Sequence, residues 1–125
     1  MYTDSFEKRT IIFVFGSNLA GRHGKGAAYH AMRYKGAVYG VGVGHHGQSY
    51  AIPTKDRNLT VMPLEAIKPY ICDFMDYARE NPDLIFNLTP IGTGLAGYSK
   101  LEMLKLITSF RIPENVLFSS RWFQE

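Results

Sequence analysis

The chain has 125 residues, of which 46% are hydrophobic and 20% are charged. This length fits one domain with a substantial core, and the composition excludes a disordered tail, a collagen-like repeat and a low-complexity linker. The formal net charge of +3 is compatible with an anionic partner but does not require one.

A single cysteine, Cys72, excludes an internal disulfide and a cysteine-based zinc cluster. It favours a cytoplasmic protein whose thiol is buried and inert. No segment approaches the roughly 18 consecutive apolar residues of a membrane helix, and the first residues lack the layout of a signal peptide.

Strands alternate with helices along the sequence. Runs of β-branched and aromatic residues predict strands near residues 11–15, 50–53, 84–88 and 116–119. Apolar periodicity and composition predict helices at residues 26–35, at 63–81 with a kink or restart at Pro69, and at about 101–110 with Ser99 as N-cap. Residues 37–47 fit either a short strand with a turn or a loop. We therefore predict one α/β domain over residues 1–125, with 1–10 as an extension, a mostly parallel or mixed sheet, and helices on both faces.

Glycines are concentrated in two segments that each follow a predicted strand. Nine of the twelve lie within residues 16–47, and the other three are Gly92, Gly94 and Gly97. The carboxyl ends of parallel strands share one edge of a sheet, so the two segments should meet there. Small residues in 16–28 lead into a helix, which would aim free N–H groups at an anion, and 91–98 could wrap a diphosphate from the other side. The alternative is that these glycines only allow surface loops to turn.

Several other motifs point to no chemistry. Residues 16–21 have the spacing of a phosphate-binding P-loop but lack its Lys-Ser/Thr pair, and residues 42–47 fit G-x-G-x-x-G but no helix follows them. No metal site is expected, because adjacent His45 and His46 point to opposite sides of an extended chain, and His30 has no ligand four residues later. A nucleic-acid patch is the less favoured interpretation of one basic group, which fits the solvated face of a helix better: Arg22, Lys25, Arg33 and Lys35, with Tyr29 and Tyr34.

The glycine segments resemble the ligand loops of macro domains. The strand ending at Phe15, the pair Ser17-Asn18 and the sequence Gly-Lys-Gly-Ala-Ala that opens a helix are similar to the first loop. Residues 89–97, Thr-Pro-Ile-Gly-Thr-Gly-Leu-Ala-Gly, are similar to the second. Thr54-Lys55 after Tyr-Ala-Ile-Pro resembles a Thr-Lys pair of the terminal ADP-ribose glycohydrolase class. The likeness spans about residues 11–116 and extends to a compact macro-like family common in bacteriophage genomes.

The resemblance implies that the domain binds ADP-ribose, or a related ADP-ribosyl or nucleotide ligand, free or attached to a macromolecule. It implies a pyrophosphate between the two loops and Asn18 on the distal ribose. We expect no cofactor, no metal and no membrane partner. The implied ligand-binding residues are Ser17, Asn18, Gly24, Lys25, Gly26, Ala27, Gly92, Thr93, Gly94, Leu95, Ala96 and Gly97.

The catalytic residues implied by the resemblance are only partly present. Lys55 matches the class's lysine, which would attack or polarise the ribose C1″ atom, but Ala96 stands where the class has an aspartate. Asp56 is the one nearby carboxylate. The family has an adenine-binding aspartate on its opening strand, and this sequence has no counterpart of it. Asn18 resembles the asparagine of the broader hydrolase macro domains, but the Asn-Ala-Ala that precedes that asparagine in the family is missing here. These departures favour a binder over a hydrolase, with weak ADP-ribosyl hydrolysis left open. The alternative is a nucleic-acid- or protein-binding module that keeps the fold without the ligand.

Overall fold

The computed structural model describes residues 9–124. Its strands are β1 (Thr10–Asn18), β2 (Gly44–His46), β3 (Ser49–Lys55), β4 (Leu84–Leu88) and β5 (Val116–Phe118). Its helices are α1 (Gly26–Tyr34), α2 (Leu64–Glu80) and α3 (Lys100–Thr108), and a 3₁₀ turn follows at Ser120–Phe123. The four predicted strands and three predicted helices are confirmed. The predicted extension, residues 1–10, lies mostly outside the described residues, and Thr10 already belongs to β1.

The strands form one mixed sheet in the order β2-β3-β1-β4-β5. β1 pairs in parallel with β3 and β4, and β4 pairs in parallel with β5, whereas β2 runs antiparallel to β3. The predicted α/β architecture with a mostly parallel sheet is therefore confirmed. Within residues 9–124, no helix combines the length and apolarity needed to cross a bilayer.

An apolar core lies on each face of the sheet, because successive β1 side chains point to opposite sides. Ile12 and Val14 pack in the larger core with α2 and α3, while Phe15 packs in the smaller core with Ala28 and Ala31 of α1. Helices thus cover both faces, as predicted. The larger core is made chiefly of the apolar stripe of α2 and the inward residues of the strands and α3: Ile12, Val14, Tyr50, Ile52, Met62, Ile67, Ile71, Phe74, Met75, Ala78, Phe86, Leu88, Ile91, Met103, Ile107, Val116 and Trp122.

The glycine-rich segment 37–47 resolves into a backbone-packed loop and the short strand β2. An added Cβ at Gly42 would come within 1.8 Å of the Asn18 carbonyl oxygen, and one at Gly21 within 2.2 Å of the Gly40 carbonyl carbon. Gly40 N–H also donates to the Gly21 carbonyl, at 2.8 Å. These glycines hold the segment against the end of β1. Strand β3, not a helix, follows Gly47, which agrees with the rejection of a dinucleotide motif.

Two expectations for α2 meet the structure here. A restart at Pro69 is wrong, because the helix is continuous from Leu64 to Glu80, whereas a kink there stays a prediction. Pro69 and Glu65 are both exposed, so water can satisfy the Glu65 carbonyl, which loses its helical donor. Cys72 is exposed rather than buried, because Ile71 and Phe74 occupy the core-facing stripe and the next position along the helix turns to solvent.

The cap predicted for α3 is confirmed. The Ser99 hydroxyl accepts from the Glu102 N–H at 3.0 Å, and the Glu102 carboxylate accepts from the Ser99 N–H at 2.9 Å. This capping box lowers the pKa of Glu102, first through the bond from the Ser99 backbone and then through the Ser99 side chain. It fixes where α3 starts, directly after the second glycine segment.

Candidate functional site

A cavity of about 920 Å³ opens at the edge of the sheet where the four parallel strands end. Both glycine segments line it, so the predicted meeting of these segments at one edge is confirmed. The lining residues are Gly16, Ser17, Asn18, Arg22, Gly24, Lys25, Gly26, Ala27, Ala28, Tyr39, Thr54, Lys55, Leu59, Thr89, Pro90, Ile91, Gly92, Thr93, Gly94, Leu95, Ala96, Lys100, Arg121 and Gln124. Of the residues predicted for the site, Asp56 and Gly97 do not line the cavity.

The first wall is the start of α1, whose terminal N–H groups are unpaired in the structure. The N-cap residue Lys25 is extended and makes no side-chain cap, and the first helical bond is from Tyr29 N–H to the Lys25 carbonyl at 3.2 Å. The N–H groups of residues 26–28 therefore have no acceptor within residues 9–124. A Cβ added at Gly24 or Gly26 would meet nothing within 4 Å, so neither position is closed off by the protein. This wall suits an anion, since unpaired N–H groups and the helix dipole favour negative charge.

The second wall is the loop between β4 and α3. Tyr98 N–H donates to the Gly92 carbonyl at 2.9 Å, and the Tyr98 hydroxyl donates to the Met62 carbonyl at 2.6 Å, which fixes the end of the loop. The N–H groups of Gly94, Leu95 and Ala96 have no acceptor within residues 9–124. All three residues line the cavity, so this loop offers a second set of backbone donors.

Ser17 and Asn18 line the cavity and also hold its loops in place. The Asn18 side-chain amide donates to the Arg22 carbonyl at 3.0 Å, and its oxygen accepts from the Arg22 N–H at 2.9 Å. The Ser17 hydroxyl donates to the Gly42 carbonyl. Asn18 keeps one amide hydrogen without an acceptor, so a contact to a ligand is compatible with its structural role.

The cavity is electropositive. Among residues 9–124, no aspartate or glutamate lines it, and five lining residues carry cationic side chains: Arg22, Lys25, Lys55, Lys100 and Arg121. Within residues 9–124 the single ion pair, between Arg79 and Asp76, lies outside the cavity. The Asp56 carboxylate instead accepts from the N–H groups of Asn58 and Thr60, at 2.9 and 3.0 Å, and closes the turn after β3. The part of the lining that the structure describes therefore favours an anionic ligand.

One lining residue of the cavity, Tyr39, is aromatic. Tyr39 lines the cavity and is 60% exposed, and its ring packs edge-on against His23 at a centroid distance of 6.3 Å. His23 is itself buried, with its Nε2 atom 3.0 Å from the Val41 carbonyl. The exposed ring of Tyr39 can therefore take a planar group by stacking.

The sequence did not identify Tyr39, Leu59, Lys100 or Arg121 as lining residues. Arg121 could have been predicted as a lining residue, because it follows the last predicted strand and should lie at the same edge as the glycine segments. Nothing in the sequence predicts Tyr39 as a lining residue, because its position depends on backbone contacts between Gly21 and Gly40.

Comparisons of this chain with protein-family models, with curated proteins and with solved structures find no match. Among residues 9–124, no three His, Cys, Asp or Glu side chains cluster as metal ligands would.

Proposed function

We propose that this chain is a macro-like domain that binds ADP-ribose, or a related ADP-ribosyl or nucleotide ligand, in the cavity. The observation that carries the proposal is the pairing of two strand-to-helix segments with acceptor-free N–H groups around a cavity whose described lining has five cationic residues and no aspartate or glutamate. A cavity of about 920 Å³ suits a ligand of nucleotide size, since small-molecule sites span about 300–1,000 Å³.

In this proposal the diphosphate lies between residues 24–27 and 92–96, where both sets of backbone donors are available. A base stacks on Tyr39, and the distal ribose approaches the remaining amide hydrogen of Asn18. The motifs that resemble macro domains support ADP-ribose over other diphosphates, because they include both loops and the Thr54-Lys55 pair in the same order.

We propose binding rather than efficient hydrolysis. Lys55 and Ala96 both line the cavity, so the lysine that would attack C1″ is present and the carboxylate that would assist turnover is not. Asp56 cannot easily replace that carboxylate, because it is held in the turn after β3 by two backbone N–H groups. Release of ADP-ribose from a modified protein or nucleic acid should therefore be weak or absent.

The test is calorimetric titration of the wild-type chain with ADP-ribose, with a thermal unfolding series beside it. A ligand at 100 times its Kd adds about 2.7 kcal/mol to the free energy of unfolding. Binding of oligonucleotides with a steep salt dependence, together with no heat and no thermal shift at millimolar ADP-ribose, would support the alternative of a nucleic-acid-binding module.

A further inference from the structure

The segment of residues 119–124 belongs to neither glycine segment but contributes two residues to the lining of the cavity. Arg121 and Gln124 line the cavity, although they are more than 20 residues beyond the other lining residues. The 3₁₀ turn Ser120–Phe123 within this segment follows β5 after one residue, Ser119.

This segment is anchored at the base of the second wall. The Leu88 carbonyl accepts from the Ser119 N–H at 2.9 Å and from the Trp122 indole N–H at 2.8 Å. Trp122 is 4% exposed and packs against Phe118, with ring centroids 6.0 Å apart. Leu88 ends β4 and immediately precedes the second glycine segment, so the position of Arg121 is coupled to that of the loop.

The side chain of Lys100 holds the same segment by two further hydrogen bonds. The Lys100 ammonium donates to the Arg121 carbonyl at 2.8 Å and to the Gln124 carbonyl at 2.5 Å. Lys100 is the first residue of α3, whose start is fixed by the capping box. The Lys100 ammonium therefore donates to backbone carbonyls of this segment. The Arg121 guanidinium, by contrast, makes no ion pair with residues 9–124.

We propose that Arg121 is a ligand-binding residue that recognises an anionic oxygen group, and that Trp122 and Lys100 are positioning residues that hold it at the cavity. The inference rests on the proposed function only in requiring an anionic ligand. Its physical basis is that a planar guanidinium binds phosphate or carboxylate oxygens in a bidentate way. Backbone donors come from two walls and Arg121 from a third segment, an arrangement that favours a ligand with at least two anionic groups. Inorganic pyrophosphate is the smallest such probe.

The first experiment titrates the wild-type chain and three variants with pyrophosphate. Arg121→Gln should weaken binding by about 10- to 100-fold, the effect of losing a charged hydrogen-bonded partner. Arg121→Lys should restore only part of the lost affinity, because lysine keeps the positive charge but lacks the two parallel N–H donors of the planar guanidinium. Arg111→Gln is the matched control: it removes the same charge from an exposed side chain that does not line the cavity, and affinity should stay unchanged.

The second experiment tests positioning by a double-mutant cycle. Trp122→Phe keeps a buried ring and removes the hydrogen bond to Leu88, so it should weaken pyrophosphate binding severalfold in the wild-type background. In the Arg121→Gln background the same change should have little effect, because the residue it positions is gone. Equal losses in both backgrounds would mean that Trp122 acts only on the fold.

The outcomes separate this inference from the proposed function. Pyrophosphate binding that depends on Arg121, with no binding of ADP-ribose, would keep the inference and refute the proposed ligand. Wild-type affinity in Arg121→Gln would overturn the inference and leave the proposed ligand standing. A wild-type chain that binds neither compound would overturn both.

Discussion

A glutamate at position 24 should strengthen the fold and weaken ligand binding at the same time. An added Cβ at Gly24 meets nothing within 4 Å, and its φ lies outside the left-handed region, so a side chain is accommodated without strain. Gly26 is the poorer site for this test, because its φ of 60° penalises any other residue. Gly24 immediately precedes the N-cap residue of α1, next to the donors that we assign to the diphosphate.

The glutamate should raise the free energy of unfolding and lower the affinity for the ligand, and the two effects can be measured separately. A negative charge near a helix start stabilises by about 0.3–1 kcal/mol, and replacing a glycine adds about 0.4–1 kcal/mol through the unfolded chain. For binding, two like charges about 7 Å apart at an effective dielectric constant of about 20 repel by about 2.4 kcal/mol. That repulsion corresponds to a loss of affinity of about 50-fold.

The assay pairs chemical denaturation with calorimetry of ADP-ribose binding. Gly24→Gln is the control for bulk, because it fills the same space without the charge. Gln48→Glu is the control for net charge, because Gln48 is exposed and lies outside the cavity. Wild-type affinity in Gly24→Glu, or an equal loss of affinity in Gln48→Glu, would refute the assignment of residues 24–27 to the anion site.

Three further predictions concern chemistry, packing and pH. Ala96→Asp should raise release of ADP-ribose from a modified substrate by roughly 10²–10⁴-fold, and Lys55→Ala should abolish it; turnover that survives Lys55→Ala would contradict this role. Gly42→Ala should cost about 3 kcal/mol in denaturation, because its Cβ would lie 1.8 Å from the backbone of β1, whereas Gly94→Ala, in open space, should cost far less. The lowered pKa of Glu102 adds stability at neutral pH that is lost as the pH falls through the folded-state value, so Glu102→Gln should flatten the stability profile below about pH 4.5.

The fold could be predicted from the sequence because its central elements carry strong local patterns. The run from Ile11 to Phe15 forms the middle strand, and the apolar stripe of α2 faces the larger core. β2 was only one of two readings of its segment, because a strand of three residues at 44–46 is specified by pairing with Tyr50 and Ala51 rather than by its own composition.

The sequence predicted the lining residues that lie close together along the chain. It missed lining residues that only the topology of the fold brings to the cavity. The glycine segments are visible as short motifs after strands, and parallel pairing brings them to one edge. Lys100 reaches the same cavity through the position of α3, which no local pattern encodes. Arg121 follows the last predicted strand, but its place at the cavity depends on the hydrogen bond of Trp122 to Leu88. Asp56 illustrates the converse, since adjacency to Lys55 in sequence does not bring its carboxylate to the cavity.

The most direct test of the central claim is a titration of isotopically labelled protein with ADP-ribose, followed through the backbone amide resonances. The amides of Gly24, Gly26, Gly94 and Ala96 line the two walls that are assigned to the diphosphate. We predict that these resonances shift together and saturate at one dissociation constant, while those of the exposed face of α1 at Tyr34 stay in place. Unchanged amides in both walls at millimolar ADP-ribose, or shifts confined to α1, would contradict the account.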